Sequence, residues 1–277
     1  MSMTNLADLN RMSHGFTHTP KMPVLFVGHG SPMNAIEENQ FVQGFRNAAK
    51  SIPKPNAILC VSAHWLTRGG SFVQASPNPE TIHDFGGFPR ELHQYQYPAP
   101  GSPFFASALA EEVKSVQPTT EWGLDHGAWT VLCHLFPQHN IPCFELSIDY
   151  SRPLAYHISL ARELQFLREK GVLIMGSGNI VHNLQASVPN LSSGQENFGY
   201  EWAEEFDEWS AKLIADKNVE GLLDYERAPG GRYSVPTPDH YIPLLYSLAL
   251  AREDEQVYTT YKQLVYGGIS MRCFEVR

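Results

Sequence analysis

Short apolar segments alternate along this chain with longer segments of helical periodicity. We predict strands over residues 23–27, 57–62, 143–148 and 172–176. We predict helices over residues 38–50, 103–115, 153–169, 200–216 and 240–252. Strands that alternate with helices are typical of an α/β fold with a mostly parallel central sheet flanked by helices.

The pattern indicates one domain. Residues 1–21 are polar and lack clear periodicity, so we expect a loose N-terminal extension there and a single domain over residues 22–277. Two long stretches, 66–102 and 217–239, are rich in Gly, Pro and aromatic residues. They have little periodicity, so we expect ordered functional loops that form the walls of a pocket.

Composition and charge exclude several classes of function. No apolar run is long enough to cross a bilayer and residues 1–20 lack the apolar centre of a signal peptide, so we expect a cytoplasmic protein with no membrane partner. The net charge is −9 and no Lys/Arg cluster is present, which argues against a nucleic-acid partner. The four cysteines lack CxxC spacing, so we predict buried free thiols. No feature of the sequence predicts an oligomeric state.

Histidines follow the predicted strands at the points where those strands end. His29 stands between two glycines after the first strand, and His64 follows the second. His182 lies a few residues beyond a glycine turn after the strand at 172–176, and His240 falls in the first turn of the helix predicted at 240–252. Because ligands of open α/β sheets bind beyond the carboxyl ends of the strands, we expect these imidazoles to converge on a shared metal ion.

Several of these residues also have a purely structural interpretation. A single histidine after a strand is more often a hydrogen-bonded core residue than a ligand, and only the repetition favours a metal site. His126 is predicted either to bind substrate or to be a structural histidine paired with Asp125. His83 lies either beside the substrate ring or in a structural Gly/Pro loop, and Tyr241 and Arg232 are candidate contacts for a substrate carboxylate.

Six ordered motifs carry a resemblance to a known family. They are Gly28-His29-Gly30-Ser31-Pro32, Ser62-Ala63-His64-Trp65, Ile82-His83-Asp84-Phe85-Gly86-Gly87-Phe88-Pro89, Leu124-Asp125-His126-Gly127-Ala128-Trp129, Gly176-Ser177-Gly178 with His182-Asn183-Leu184, and Pro238-Asp239-His240. Together they resemble the class III (LigB-type) extradiol ring-cleaving dioxygenases, in the branch that cleaves DOPA. The resemblance covers about residues 22–277.

The resemblance implies a non-haem metal centre and a ring-cleaving reaction. It implies that His29 and His64 are metal ligands, that zinc occupies the site in bacterial members, and that Fe(II) supports turnover. At the late ligand position, where other catechol-cleaving members have a glutamate, this chain has His240. His182 corresponds to the acid/base position and could also complete a four-histidine shell. The implied substrates are a DOPA-like catechol and O2, and the product is a semialdehyde of the 4,5-seco-DOPA type.

Two other functions remain open at this point. A zinc-dependent hydrolase could use Asp125 or Asp239 beside a metal-bound water, although no HExxH motif is present. The chain could also be a non-enzymatic scaffold that binds a metal or a small ligand without turnover, because a fold does not determine a function.

Overall fold

The computed structural model describes residues 19–277, apart from Gln195 and the side chains of Ser192 and Ser193. Its strands are β1 (Val24–Gly28), β2 (Ala57–Ser62), β3 (Leu66–Thr67), β4 (Ser71–Gln74), β5 (Val116–Thr119), β6 (Cys143–Glu145), β7 (Ile148–Asp149), β8 (Val172–Gly178), β9 (Val257–Tyr261), β10 (Leu264–Val265), β11 (Ile269–Ser270) and β12 (Cys273–Val276). Its helices are α1 (Gln40–Ala49), α2 (Arg90–Gln94), α3 (Pro103–Glu112), α4 (His126–Leu135), α5 (Leu154–Glu163), α6 (Gln165–Glu169), α7 (Leu184–Ser193), α8 (Glu201–Ala215), α9 (Gly231–Ser234) and α10 (Ile242–Ala249). Short 3-10 helices span Pro32–Ala35 and Gly221–Arg227.

A six-stranded sheet with the order β6-β2-β8-β1-β12-β9 forms the centre of the molecule. The pairs β6-β2, β2-β8 and β8-β1 are parallel, whereas β12 runs antiparallel to both of its neighbours. Three further two-stranded pairs lie outside this sheet. The predicted α/β fold with a mostly parallel central sheet is therefore confirmed.

Side chains alternate between two cores, one on each face of the sheet. Val24 and Phe26 of β1 enter one core, and Leu25 and Val27 enter the other. Because successive residues of a strand point to opposite faces, an all-apolar strand must be covered on both sides. Helices α5 and α10 contribute to the first core, and α1 and α4 contribute to the second.

Two predicted elements are divided in the structure. The strand predicted at 143–148 is wrong in its second half, because the chain leaves the sheet after β6 and resumes as β7, which pairs with β3. The helix predicted at 153–169 is interrupted at Leu164, where one helix ends and the next begins. The helix predicted at 240–252 begins only at Ile242, so His240 precedes it rather than lying in its first turn.

The two predicted loop regions contain short regular elements. Strands β3 and β4 and helix α2 lie within 66–102, and helix α9 and a 3-10 helix lie within 217–239. Most of the extension predicted over residues 1–21 lies outside the described residues. No helix within the described part of the chain is long and apolar enough to cross a bilayer.

Candidate metal centre

Five histidines meet beyond the carboxyl ends of β1, β2 and β8, which are neighbours in the sheet. His29 follows β1 directly, His64 lies two residues after β2, and His182 lies four residues after β8. His126 is the first residue of α4, and His240 precedes α10. Glycine permits the closest approach here, because a methyl group at Gly178 would lie 2.2 Å from the carbonyl oxygen of His240.

The imidazoles form two neighbouring groups of potential metal ligands, His29 with His64 and His126, and His182 with Asp239 and His240. Within each group the donor atoms lie within 4.8 Å of one another. The Nε2 atoms of His29 and His64 lie 3.2 Å apart. The His240 ring lies 5.3 Å from that of His29 and 4.9 Å from that of His64, measured between centroids. His126 lies 3.9 Å from His64, and His182 stacks face to face on His240 at 3.5 Å.

The separation of the two Nε2 atoms fits a common metal ion. Zinc-to-imidazole bonds are about 2.0–2.1 Å long, so two nitrogens on one tetrahedral ion would be separated by about 3.3 Å. The observed distance between His29 and His64, 3.2 Å, matches that value. Neutral imidazole is a common ligand of zinc and iron, so the donor chemistry also fits.

Hydrogen bonds direct the second ring nitrogen of three of these histidines away from the centre. The Nδ1 atom of His29 contacts Ser177 Oγ at 3.0 Å, and that of His126 contacts Asp84 Oδ2 at 2.9 Å. The Nδ1 atom of His240 bonds the carboxylate of Asp239. A carboxylate accepts the Nδ1 proton, which leaves Nε2 free to bind a metal.

Burial keeps several of these imidazoles neutral at pH 7. It lowers the pKa values of His29 and His240 far below the usual value of 6.5, and the neighbouring imidazoles lower them further. Burial also lowers the pKa of His64 to about 3 and that of His182 to about 4. Metal binding requires the unprotonated ring, so these imidazoles need not release a proton when a metal binds.

Asp84 joins two of the rings. Its carboxylate accepts hydrogen bonds from the backbone N–H and Nδ1–H of His126, and it lies 3.5 Å from the Nδ1 atom of His64. Burial alone would raise the pKa of Asp84, but the hydrogen bonds from His126 hold it below its usual value. Asp84 therefore carries a negative charge beside the imidazoles.

His83 lies apart from this cluster. The Nε2 atom of His83 donates to the carbonyl of Tyr95, and its ring belongs to an aromatic wall around Trp129. The Phe85 ring contacts both histidines, and its centroid lies 5.8 Å from that of His83 and 5.5 Å from that of His126.

The predicted carboxylate contacts are not supported by the geometry. Tyr241 is completely buried, and its hydroxyl donates to the carbonyl of Leu222, so its position gives no support to a contact between this side chain and substrate. Arg232 is exposed and lies 3.6 Å from Glu226.

The sequence reasoning missed the residues that orient the histidines. Ser177 and Asp84 stand inside the motifs quoted above, but no spacing rule showed which ring each would face. The sequence offers Asp239 only as a carboxylate for a hydrolase, whereas in the structure it bonds the His240 ring. Asp125 does not pair with His126; its side chain caps α4 and accepts from Ser62.

Comparison with known proteins agrees with this geometry. The family model described as the catalytic LigB subunit of aromatic ring-opening dioxygenase matches residues 13–272. The chain belongs to the LigB family. It is an extradiol ring-cleaving dioxygenase, and enzymes of this type depend on a metal.

Curated relatives and a solved structure cover most of this LigB-family chain. A 4,5-DOPA dioxygenase extradiol of Escherichia coli K12 is 42% identical over 262 residues, which are 92% of this chain and 95% of the relative. The protein of the same name from Beta vulgaris is 36% identical over 241 residues, which are 83% of this chain and 87% of the relative. A crystal structure of an uncharacterized E. coli K12 protein superposes with a TM-score of 0.78 at 36% identity, over 92% of this chain and 99% of that one.

Proposed function

We propose that this LigB-family protein cleaves the ring of a DOPA-like catechol with O2 and gives a semialdehyde of the 4,5-seco-DOPA type. A ring carbon–carbon bond beside one hydroxyl-bearing carbon breaks, and both oxygen atoms of O2 enter the product. The observation that carries the proposal is the cluster of five imidazoles, in which the Nε2 atoms of His29 and His64 lie 3.2 Å apart. The names of the relatives support DOPA as the type of substrate.

In this proposal His29, His64 and His240 hold one divalent metal ion. Fe(II) supports turnover, whereas zinc is the ion expected in the protein as isolated. When bound, Fe(II) acts as a Lewis acid toward the catechol oxygens and connects substrate and O2 electronically, which redox-inert zinc cannot do. Three neutral ligands leave the site one charge more positive than two histidines and a carboxylate would, and this favours an anionic catecholate.

His182 is the preferred acid/base. Its imidazole stacks on the His240 ring beside the cluster, where a ring nitrogen can exchange a proton with a catechol hydroxyl. Its low pKa, about 4, keeps it in the neutral form that can accept that proton at pH 7. The same position beside His240 would also allow His182 to serve as a fourth metal ligand.

His126 is the second candidate for proton transfer and for contact with a substrate oxygen. Its Nδ1–H donates to Asp84, so Nε2 is the nitrogen left to accept a proton or a hydrogen bond. The carboxylate would stabilise the imidazolium formed when Nε2 takes a proton. Phe85 contacts the His126 ring edge to face and, with His83 behind it, forms a wall that suits an aromatic substrate.

The four cysteines are all free and buried. Free thiols are usual in a reducing compartment, which supports the proposal that the protein works in the cytoplasm.

Oxygen uptake by the metal-loaded protein tests this function. The metal-free protein would be loaded with Fe(II) or with zinc under argon, mixed with L-DOPA and other catechols, and exposed to air. We expect one O2 consumed per catechol and a new visible absorption with Fe(II), and neither with zinc. Ester or amide cleavage without O2 would instead support a hydrolase, and catechol binding without turnover would support a scaffold.

A further inference from the structure

Ser177 connects a histidine of the metal centre to the first turn of α4. This residue of β8 is completely buried. Its Oγ atom lies 3.0 Å from the Nδ1 atom of His29 and 2.5 Å from the carbonyl oxygen of Gly127. Gly127 follows His126 in α4, so one hydroxyl contacts a proposed ligand on one side and the neighbour of a second imidazole on the other.

The direction of both hydrogen bonds follows from the chemistry of the three groups. A carbonyl oxygen carries no hydrogen, so it can only accept, and the single hydroxyl proton of Ser177 is therefore committed to Gly127. Ser177 Oγ must then accept from His29, which requires a proton on Nδ1. A neutral imidazole with a proton on Nδ1 has its lone pair on Nε2, the atom that faces His64.

We propose that Ser177 is a positioning residue that fixes the tautomer and the ring orientation of His29. The inference rests on the proposed metal centre but not on the ring-cleaving reaction. The hydroxyl holds Nε2 of His29 ready to bind the ion before the ion arrives. Without the Ser177 hydroxyl, the Nδ1–H group of His29 has no acceptor, and the tautomer with the proton on Nε2 becomes populated. That tautomer must convert to the Nδ1–H form before Nε2 can bind a metal.

Ser62 provides a matched control because it is the direct partner of Ser177 in the pairing of β2 with β8. It is equally buried and its hydroxyl donates to Asp125 rather than to an imidazole. Ser247 is a second buried serine, and its hydroxyl donates to the carbonyl of Leu25. Each control removes one buried hydroxyl without touching the His29 ring.

The test combines nitrogen-15 NMR of the histidine rings in the metal-free protein with zinc affinity measured against a chromophoric chelator. His29→Asn identifies the His29 signals by their loss. We expect the parent His29 to be the Nδ1–H tautomer, and Ser177→Ala to gain the Nε2–H form and to bind zinc roughly 10- to 100-fold more weakly. Ser62→Ala and Ser247→Ala should keep the parent tautomer.

Two results would overturn the inference: a parent His29 in the Nε2–H form, or a Ser177→Ala variant that keeps both the parent tautomer and the parent zinc affinity. If Ser177→Ala does not fold, the spectrum of the parent decides alone. Because neither readout uses O2 or a catechol, failure of the ring-cleaving proposal would leave this test intact.

Discussion

Substituting Gly127 by alanine would move a proposed ligand without changing its chemistry. Gly127 lies in the first turn of α4, against the strand end that delivers His64. A methyl group there would lie 2.9 Å from Cδ2 of His64 and 2.6 Å from Oγ of Ser62. Ordinary contacts begin near 3.4 Å, so the His64 ring must shift by about 0.5 Å or the start of α4 must move away.

A shift of this size exceeds what a metal site tolerates, since ligand distances are held to about 0.2 Å. We expect the zinc dissociation constant of Gly127→Ala to rise roughly 10- to 100-fold, with a comparable loss of oxygen uptake in the iron-loaded protein. The helical propensity of the residue would not decrease, because alanine is favoured over glycine in a helix interior by about 1 kcal/mol.

Gly86→Ala is the matched control. It lies in the loop that carries Asp84, and no atom stands within 4 Å of the position of the added methyl group. Zinc competition and oxygen uptake would be measured on both variants beside a thermal melt. Parent-like zinc affinity and turnover in a folded Gly127→Ala variant would refute the placement of His64 at the centre.

Three further predictions concern the acid/base, the proposed ligands and a buried ion pair outside the metal centre. His182→Gln should keep most of the bound metal while catechol cleavage falls by roughly two to four orders of magnitude, the usual effect of losing a proton-transfer group; metal loss in parallel with activity would show instead that His182 is a ligand. His29→Ala and His64→Ala should each lower the zinc content after dialysis, because removing one of three or four ligands weakens chelation, and undiminished metal in both would contradict their assignment. Glu255→Gln tests the buried pair with Arg168: burial opposes ionisation of Glu255, yet hydrogen bonds from Arg168 and Lys21 lower its pKa from 4.5 to about 2. The carboxylate therefore stabilises the parent protein fully above about pH 4.5, and this stabilisation is lost as the pH falls toward 2. Urea unfolding should show the variant about 3 kcal/mol less stable at pH 7, and its stability should depend less on pH between 2 and 4.5. Equal stability of parent and variant at every pH would contradict the pairing.

The sequence predicted β1, β2 and β8 with their ends correct to within two residues, for physical reasons. β1, β2 and β8 are buried on both faces, so each reads as a continuous apolar run that ends where the chain turns. Histidines placed directly after such strands are confined to one edge of the sheet, which is why the sequence predicts the convergence of His29 and His64.

Three of the elements that the sequence missed, α4, α7 and β9, lack a clear periodic signal. α4 is buried almost all round, so it has no polar face to mark a helix. α7 contains Pro189, which argues against a helix interior. β9 carries exposed polar residues and is the edge of the sheet, so its apolar pattern is weak.

The orientation of the histidine rings could not be predicted from the sequence. Which nitrogen of His29 faces the centre depends on Ser177, a residue 148 positions away in the chain. The contact between His126 and Asp84 likewise spans 42 positions. Tyr241 stands next to His240 in the sequence, yet its side chain packs in the core, and the sequence alone does not show that orientation.

Isotope incorporation tests the central claim most directly. The Fe(II)-loaded protein would be mixed with L-DOPA under 18O2, the aldehyde reduced at once to prevent exchange with water, and the product analysed by mass spectrometry, with His64→Ala as the control. We predict a ring-opened product that contains two 18O atoms in the parent and little product in the variant. A product with one 18O atom or none, or equal product from His64→Ala, would contradict the proposal that these imidazoles hold the metal of an extradiol dioxygenase.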